Sequence, residues 1–378
     1  MKISLNNGLR GLAKSAYATS MHWSRLVKWV GARQGLDEAP LVVGYHRVVK
    51  DFEVSQNLSI SSMLVSEATF ERQLSWIGKH YRFVSSNEMT SAMETGQKAR
   101  KSTNDKPAAM VTFDDGYQDV YQNALPILKR MGIPATMFVV TDLVGTRQIL
   151  LHDELYLLLN DIIRNHPESK PAFLRDVAST DSLNVPELLT PLSNALDNDT
   201  DAYHATRLIL GKLSQSGLRK IIALLRQHIA LDGESTRAFQ MMDWDMLRDW
   251  VAQGMTVGSH SKTHALLAKE SPAVIEEEIE GSRLELERQL NVPIKDFAYP
   301  DGSFDTDVLK AIDCGGYKAA YTVCNHQNPD YPMLSIPRRM LWENTCSGAF
   351  GQFSSAMLSC QTNGLFDKLS PCHRPHHS

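Results

Sequence analysis

Two short segments of this chain carry side chains that together could bind a metal ion and use it in catalysis. The first reads TFDDG and contains the adjacent carboxylates of Asp114 and Asp115; the second reads HSKTH and contains His260 and His264. Two imidazoles at this spacing on a helical turn project to the same side and can share one divalent ion. One carboxylate completes a ligand set that leaves positions open for water and substrate, as in catalytic sites.

Each motif also has a simpler explanation. An Asp-Asp-Gly sequence after a strand is often a turn that ends in a left-handed glycine. Two histidines four residues apart can be surface or capping residues. A cysteine-based metal site is disfavoured, because the cysteines show no CxxC pairing. These are Cys314, Cys324, Cys346, Cys360 and Cys372. The complementary ligands of the two motifs favour the catalytic explanation.

The residues before each motif predict a buried strand. Residues 108–113, AAMVTF, form an apolar run of strand length, and Gly116 then breaks it. Residues 254–259, GMTVGS, predict a second short strand that ends before His260. Both motifs therefore follow the carboxyl end of a strand, where α/β barrels have their active sites. Successive side chains there point in different directions, so one aspartate can bind metal while its neighbour acts as a base.

Strand-like and helical segments alternate along the chain, which predicts a β/α barrel. The strands are expected at residues 41–48, 109–113, 135–140, 255–259, 296–299, 319–323 and 334–340. Helices are expected at residues 66–77 and 117–129. The predicted organisation is a basic amphipathic arm at residues 1–38, a catalytic domain at 39–345 and a C-terminal tail at 346–378.

Residues 142–240 predict a helical insertion within the catalytic domain. Helix-like segments at residues 150–164, 186–194 and 202–228 are separated by polar turns. The insertion is expected above the barrel mouth, where it could shape a substrate groove or bind a partner. His152 and Asp153 within it suggest either a second metal site or an exposed helix cap, and the cap is favoured.

With these motifs in these positions, the sequence resembles the polysaccharide deacetylase family, the NodB-like carbohydrate esterases, which remove N-acetyl or O-acetyl groups from sugars. TFDDG matches the first family motif letter for letter, and HSKTH matches the family's H-[ST]-x-x-H motif. The resemblance implies that Asp114 is the general base and that Asp115, His260 and His264 bind the metal. It also implies a zinc ion, with cobalt or nickel as alternatives, and a distorted seven-stranded (β/α) barrel.

The third family motif is present in a variant form. Residues 297–302, FAYPDG, resemble the Y-P-x-G subgroup, and Ala298 replaces an arginine that orients the catalytic aspartate in many members. The resemblance implies that Tyr299 is a site residue and that the backbone at the Tyr-Pro step offers an N–H to the developing oxyanion. A buried tyrosine before a rigid turn is the alternative. Arg338, in a segment that resembles the subgroup's late I-P-R strand, is the candidate for the missing arginine, with Arg339 behind it. A surface ion pair is the alternative.

A candidate catalytic acid lies near the start of the domain. The usual last family motif, an apolar strand that ends in L-M-H-D, is absent from the C-terminal part. An apolar strand at residues 40–48 instead contains Tyr45 and His46, as in a subgroup described as circularly rearranged. The resemblance implies that protonated His46 gives a proton to the leaving amine. A satisfied interior histidine is the alternative.

The implied function is a metal-dependent hydrolase that removes acetyl groups, foremost N-acetyl groups, from a polysaccharide or its lipid-linked precursor. The resemblance implies that metal-activated water attacks the acetyl carbonyl. Two alternatives stay open: an esterase or amidohydrolase for a non-sugar acyl substrate, and a non-catalytic carbohydrate-binding member. The presence of both aspartates and both histidines argues against the non-catalytic alternative.

Composition and charge limit the partners. The net charge of −4 and the sequence pI near 6.4 give no basic excess for nucleic acid. The first forty residues are locally basic, and residues 21–30 could form an amphipathic helix that contacts a membrane surface or packs on the barrel. No segment is typical of a signal peptide or a transmembrane helix. The expected location is the cytoplasm at the inner membrane face, where exopolysaccharide precursors would supply an N-acetylated glycan or lipid-linked saccharide.

Overall fold

The computed structural model describes residues 14–21, 40–94, 106–180, 183, 186–197, 202–231, 233–325 and 327–366. Each strand expected from the sequence is present there, although His46 divides the first expected strand into two. The strands are β1 (Leu41–Tyr45), β2 (Arg47–Val49), β3 (Leu64–Ser66), β4 (Arg82–Phe83), β5 (Ala108–Phe113), β6 (Ala135–Val139), β7 (Thr256–Ser259), β8 (Asp296–Ala298), β9 (Ala319–Thr322), β10 (Ile336–Pro337) and β11 (Arg339–Met340).

The main sheet is parallel and closes into a barrel. Its strand order is β10, β9, β8, β7, β6, β5, β1, β11. β10 and β11 are parts of one segment interrupted by Arg338, and they pair with β9 and β1 at opposite ends of the sheet. When this segment is counted as one strand, the fold is the expected seven-stranded (β/α) barrel. β4 is an additional strand beside the start of β5, and β2 and β3 form a separate sheet.

Both faces of the barrel sheet are buried, as expected for parallel strands covered by helices. Val43, Val111, Met137 and Phe297 belong to a large core that also contains residues of the surrounding helices, such as Phe70. The alternate residues of the strands pack with one another and therefore fill the barrel interior. They include Val42, Met110, Phe138, Ala298, Tyr321 and Ile336.

Helices connect the strands and cover the outside of the barrel. In the described part of the chain these are Phe52–Ser55, Glu67–His80, Ser86–Glu94, Leu125–Met131, Trp244–Ala252, Pro272–Glu276, Ser282–Leu290, Thr306–Cys314 and Ser355–Thr362. The helix expected at residues 66–77 begins as predicted, because the Ser66 hydroxyl accepts a hydrogen bond from Thr69 N at 3.2 Å. The helix expected at 117–129 contains a π-helical turn at Val120–Ala124, which the sequence does not predict.

Between β6 and β7, the described helices within residues 151–237 form a helical layer that has its own hydrophobic core. Its helices are Leu151–Arg164, Lys170–Ser179, Pro186–Asp197, Ala202–Lys212, Gln215–Leu225 and Gly233–Arg237. The helix expected at residues 202–228 is two helices, because the chain turns at Ser214 and the Ser214 side chain caps the second one. The exact limits of the insertion, 142–240, stay a prediction.

The two ends of the described chain pack together. Residues 14–21 are helical, and Ala18 packs against Ala356, Met357 and Cys360 of the helix Ser355–Thr362. This part of the predicted arm at residues 1–38 therefore packs on the body of the protein. Residues 1–13, 22–39 and 367–378 lie outside the described residues, and with them most of the predicted amphipathic helix. None of the described helices has the length and apolar character needed to span a bilayer.

Candidate metal centre and active-site cavity

Asp114 and Asp115 follow β5 and have different surroundings. The N–H of Asp114 donates to Tyr45 O at 2.9 Å, which continues the pairing with β1. Asp115 has a left-handed backbone with a φ of 76°, and Gly116 completes the turn with a φ of 89°. Because of this turn, the Asp114 carboxylate faces Arg338 whereas the Asp115 carboxylate faces the two histidines.

His260 and His264 lie on a loop after β7, and the helical turn predicted for them is wrong. The N–H of His260 donates to Val139 O at 2.9 Å, which extends the pairing of β7 with β6. Ser261 and His264 both have left-handed backbones, with φ of 63° and 62°. The loop brings the two imidazole centroids to 5.0 Å from each other. Neither left-handed position carries a glycine that could have indicated this conformation from the sequence.

Asp115, His260 and His264 form a cluster that fits a divalent ion. Asp115 Oδ1 lies 3.5 Å from His260 Nε2 and 3.4 Å from His264 Nε2. Both Asp115 carboxylate oxygens are buried with no hydrogen-bond partner among the described residues. His260 Nδ1 lies 2.7 Å from Ala298 O, so Nδ1 carries the proton and Nε2 can bind a metal. In the described part of the chain this is the one cluster of three such ligands.

The charged forms of these three side chains are energetically unfavourable in this buried site when no cation is bound. Burial, together with the charges of Asp114 and Asp153, raises the pKa of Asp115 well above its usual value. Burial lowers the pKa of His260, and burial and the neighbouring histidines hold the pKa of His264 well below its usual value. The histidines are therefore neutral near pH 7, which is the state that binds metal.

We expect Asp115→Asn to stabilise the metal-free chain, and to do so more as the pH rises from about 4 to 7. The folded pKa of Asp115 lies above its unfolded value, so folding holds a proton that the unfolded chain releases. The raised pKa therefore lowers the stability of the metal-free chain above the unfolded pKa, whereas asparagine has no charge to bury. Thermal unfolding in chelator across this pH range measures the effect. Equal pH profiles for the variant and the natural chain would contradict it.

Asp114 and Arg338 form a buried, bidentate ion pair. Arg338 Nη1 donates to Asp114 Oδ1 at 2.6 Å, and Arg338 Nη2 donates to Asp114 Oδ2 at 2.7 Å. Arg338 also donates to Thr112 Oγ1 at 3.1 Å and lies over the Phe138 ring. Burial alone would raise the pKa of Asp114, but the charge and hydrogen bonds of Arg338, together with smaller effects of His260 and His46, lower it. The candidate arginine thus contacts the candidate base, whereas Arg339 donates to Asn325 outside this pair.

His46 lies between β1 and β2 and lines the same cavity as the two aspartates. Burial lowers the pKa of His46 to about 4, and the opposing effect of Asp114 is smaller. The imidazole is therefore neutral near pH 7. This differs from the expectation that His46 is protonated before the reaction begins, because the sequence does not show that the ring lies inside this cavity.

Tyr299 lines the cavity but has no free donor. Its N–H donates to Tyr321 O at 3.0 Å, and its hydroxyl donates to Leu334 O at 2.7 Å. Neither group can therefore contact an oxyanion. The expectation that the Tyr-Pro step offers such a donor is wrong for Tyr299 itself, because β8 continues in register with β9 up to this residue.

The metal-type ligands lie in a cavity of about 440 Å³. The barrel supplies its floor, including His46, Asp114 and Asp115, and the helical layer supplies much of its wall. The wall residues from that layer are Leu151, His152, Tyr203, Arg207, Leu210, Gln215 and Leu218. This volume lies within the usual range of small-molecule binding sites.

His152 is a cavity residue that sequence reasoning placed wrongly. It is 9% exposed, and its ring centroid lies 4.9 Å from that of His264. Asp153 is also buried and accepts a hydrogen bond from the Tyr117 hydroxyl at 2.5 Å. An exposed cap is thus the wrong description of both residues. Only the packing of the helical layer on the barrel brings His152 here, and no local sequence pattern indicates it.

Comparison with known proteins agrees with this geometry. The polysaccharide deacetylase family model matches residues 101–170 and 198–320. The match includes Asp114, Asp115, His260 and His264, and it leaves His46 and Arg338 outside. A poly-β-1,6-N-acetyl-D-glucosamine N-deacetylase of Staphylococcus aureus is 32% identical over 117 residues, which are 29% of this chain and 38% of that protein. The Staphylococcus epidermidis enzyme of the same name is 31% identical over 114 residues.

A solved structure supports the fold. The Streptococcus pyogenes deacetylase PplD, in complex with acetate, aligns with 82% of this chain and 95% of its own, at 18% identity and a TM-score of 0.50. The alignments with the curated relatives cover well under half of their length, so their activity is not transferred by similarity alone. The family model, in contrast, spans just over half of this chain. The chain therefore belongs to the polysaccharide deacetylase family.

Proposed function

We propose that this protein is a metal-dependent hydrolase that removes acetyl groups, foremost N-acetyl groups, from a polysaccharide or its lipid-linked precursor. One observation carries the proposal: three metal-type ligands line one cavity together with Asp114, whose carboxylate is paired with the buried Arg338. Family membership supports the reaction type. The staphylococcal relatives, named as deacetylases of poly-β-1,6-N-acetyl-D-glucosamine, support an N-acetylated glycan as the substrate.

Asp115, His260 and His264 would hold the ion, and we propose zinc, with cobalt or nickel as alternatives. When bound, such an ion supplies Lewis-acid polarisation of the acetyl carbonyl and lowers the pKa of water. Asp115 and His260 are buried and His264 is partly buried, so the ion would lie within the cavity and away from the outer surface. The His260 Nδ1 contact with Ala298 O fixes the ring that would bind the ion.

Asp114 is the proposed general base. The Arg338 guanidinium keeps the carboxylate charged near neutral pH and holds it in one orientation. Asp114 accepts one proton from the attacking water, whose oxygen forms a bond to the acetyl carbon. The carbon–nitrogen bond then breaks, and acetate and the sugar amine leave.

His46 is the proposed acid for the leaving nitrogen. The free imidazole is neutral at pH 7, so it must take up a proton during the reaction. Negative charge that develops on the carbonyl oxygen beside the ring favours the protonated form. His46 takes this proton from solvent and gives it to the departing nitrogen, which leaves the ring neutral again, and Asp114 releases its proton to solvent.

His46→Ala is expected to abolish N-deacetylation and to keep measurable hydrolysis of aryl acetates. An amine leaves only when it is protonated, whereas a phenolate leaves without help, and general acid catalysis contributes about 10²–10⁴-fold. Rates for an N-acetylated sugar and for an aryl acetate, measured on the same preparation, test this difference. Equal losses on both substrates would count against the acid role.

The experiment that tests the function is acetate release from N-acetylglucosamine oligosaccharides with β-1,6 or β-1,4 linkages. The purified chain is assayed as prepared, after chelation, and after zinc, cobalt or nickel is restored. We expect release that chelation abolishes and metal restores. Metal-dependent release from a non-sugar amide or ester, with none from any glycan, would overturn the glycan substrate and support a different hydrolase.

A further inference from the structure

Thr263, between the two metal-type histidines, has its polar groups bonded to two residues from other parts of the fold. Its N–H and its hydroxyl donate to the Glu278 carboxylate at 2.8 Å and 2.5 Å. Its carbonyl oxygen and its hydroxyl accept hydrogen bonds from Gln215 Nε2 at 2.6 Å and 3.2 Å. Because His264 is the next residue, the position of Thr263 determines the position of the His264 backbone, from which the imidazole extends.

Glu278 supports this loop from the barrel side. It is 5% exposed and lies in a π-helical turn at Glu277–Gly281. Besides the two bonds from Thr263, it accepts a hydrogen bond from Lys262 N at 2.9 Å. Left-handed backbone costs about 1 kcal/mol or more at a residue other than glycine, so Ser261 and His264 keep this conformation only if the loop is held. Hydrogen bonds to a buried carboxylate are strong enough to hold it.

Gln215 supports the same loop from the helical layer. It is the first residue of the helix Gln215–Leu225, and its own N–H donates to Glu270 Oε1 at 2.6 Å. Nearby, Lys269 Nζ donates to Leu210 O at 2.8 Å. The helical layer thus contacts the chain on the far side of His264 as well as Thr263.

We propose that Glu278 and Gln215 are positioning residues for the metal centre: from opposite sides they fix Thr263 and thereby hold His264 in its binding position. The helical layer is then part of the metal-binding apparatus as well as a wall of the cavity. This inference rests on the proposed metal centre but not on the proposed substrate, because metal affinity can be measured without one.

Glu278→Gln tests the barrel side, with Glu277→Gln as the matched control. The control removes a carboxylate from the neighbouring residue, whose side chain is 63% exposed and pairs with Lys262 Nζ. Zinc affinity is measured by competition with a chromophoric chelator. We expect Glu278→Gln to weaken zinc binding about 10–100-fold, the usual effect of losing a residue that orients a ligand, and Glu277→Gln to leave it unchanged.

Thr263→Val and Gln215→Ala test the two contacts in variants that leave the carboxylate in place. Thr263→Val removes the shared hydroxyl, whereas Thr263→Ser keeps it and is expected to restore the affinity. Gln215→Ala is compared with Lys220→Ala, an exposed residue of the same helix. We expect Thr263→Val and Gln215→Ala each to lose about 10-fold in zinc affinity. Thr263→Ser and Lys220→Ala are expected to bind zinc as tightly as the natural chain.

The outcomes separate this inference from the proposed function. If Glu278→Gln, Thr263→Val and Gln215→Ala all bind zinc as tightly as their controls, the positioning role is wrong even if the protein is a deacetylase. If they weaken zinc binding while no glycan is deacetylated, the positioning role stands and the proposed function fails. Thermal unfolding of each metal-free variant shows whether it is folded, and the Thr263→Ser rescue excludes a general loss of structure.

Discussion

His264→Ala is expected to lose its bound metal and to deacetylate more than about 10³-fold more slowly than the natural chain. Removing one oxyanion donor from an enzyme costs about 10²–10³-fold in rate, and loss of the ion would remove water activation as well. His264 is one of three metal-type ligands, and the Asp115 carboxylate among them is buried with no hydrogen-bond partner in the described residues. The described residues contain no other set of three metal-type ligands, so the nearby His152 is not expected to replace His264.

Metal content by elemental analysis and acetate release on the same sample measure this effect. His166→Ala is a suitable control, because His166 lies in the helical layer with a side chain that is 44% exposed and does not line the cavity. The control is expected to keep both metal and activity. A His264→Ala protein that retains one ion per chain and full activity would exclude the proposed metal centre.

Arg338→Met is expected to destabilise the fold by about 3–5 kcal/mol and to impair catalysis, because it leaves the Asp114 carboxylate buried without its partner. The double variant that combines Arg338→Met with Asp114→Asn should recover much of the lost stability but none of the activity. Arg339→Met is the matched control, since Arg339 is the next residue and contacts Asn325 instead. Urea unfolding of the four proteins measures the effect. An Arg338→Met chain as stable as the control would contradict the importance of this pair.

The pH dependence of the same variant has a defined sign. In the natural chain the pKa of Asp114 is lowered, so this residue stabilises the fold above about pH 4 and loses that effect as the pH falls through its folded pKa. Without Arg338, we expect burial to hold the pKa of Asp114 above its unfolded value. The free-energy cost of burying the unpaired Asp114 charge then grows as the pH rises. The loss of stability in Arg338→Met should therefore be larger at pH 7 than at pH 5.

The sequence predicted the barrel and the position of several site residues at one edge of it, because both depend on local patterns. Apolar runs of strand length identified the barrel strands, and their ends located Asp114, Asp115 and His260 at one edge. Arg338 was found through its likeness to a family segment, and the contact with Asp114 joins residues that are 224 positions apart. Nothing in the composition around Arg338 distinguishes such a contact from a surface arginine.

The features that the sequence did not predict depend on tertiary contacts. The left-handed residues Ser261 and His264 are held by Glu278, which acts across the fold and leaves no mark on the loop sequence. His152 reaches the cavity only because the helical layer packs on the barrel. The Tyr299 donors are occupied by β9 and by Leu334, and strand register cannot be read from the motif FAYPDG.

The closure of the barrel by one divided segment has a consequence for synthesis of the protein. Translation proceeds from the N-terminus, so the nascent chain contains Asp114 long before the ribosome adds Arg338. Until residues 336–340 emerge and insert between β1 and β9, the carboxylate has no guanidinium partner, and enclosing its charge is unfavourable. Closure of the barrel and pairing of the Asp114 charge with Arg338 therefore both require the last strand segment of the barrel to be synthesised.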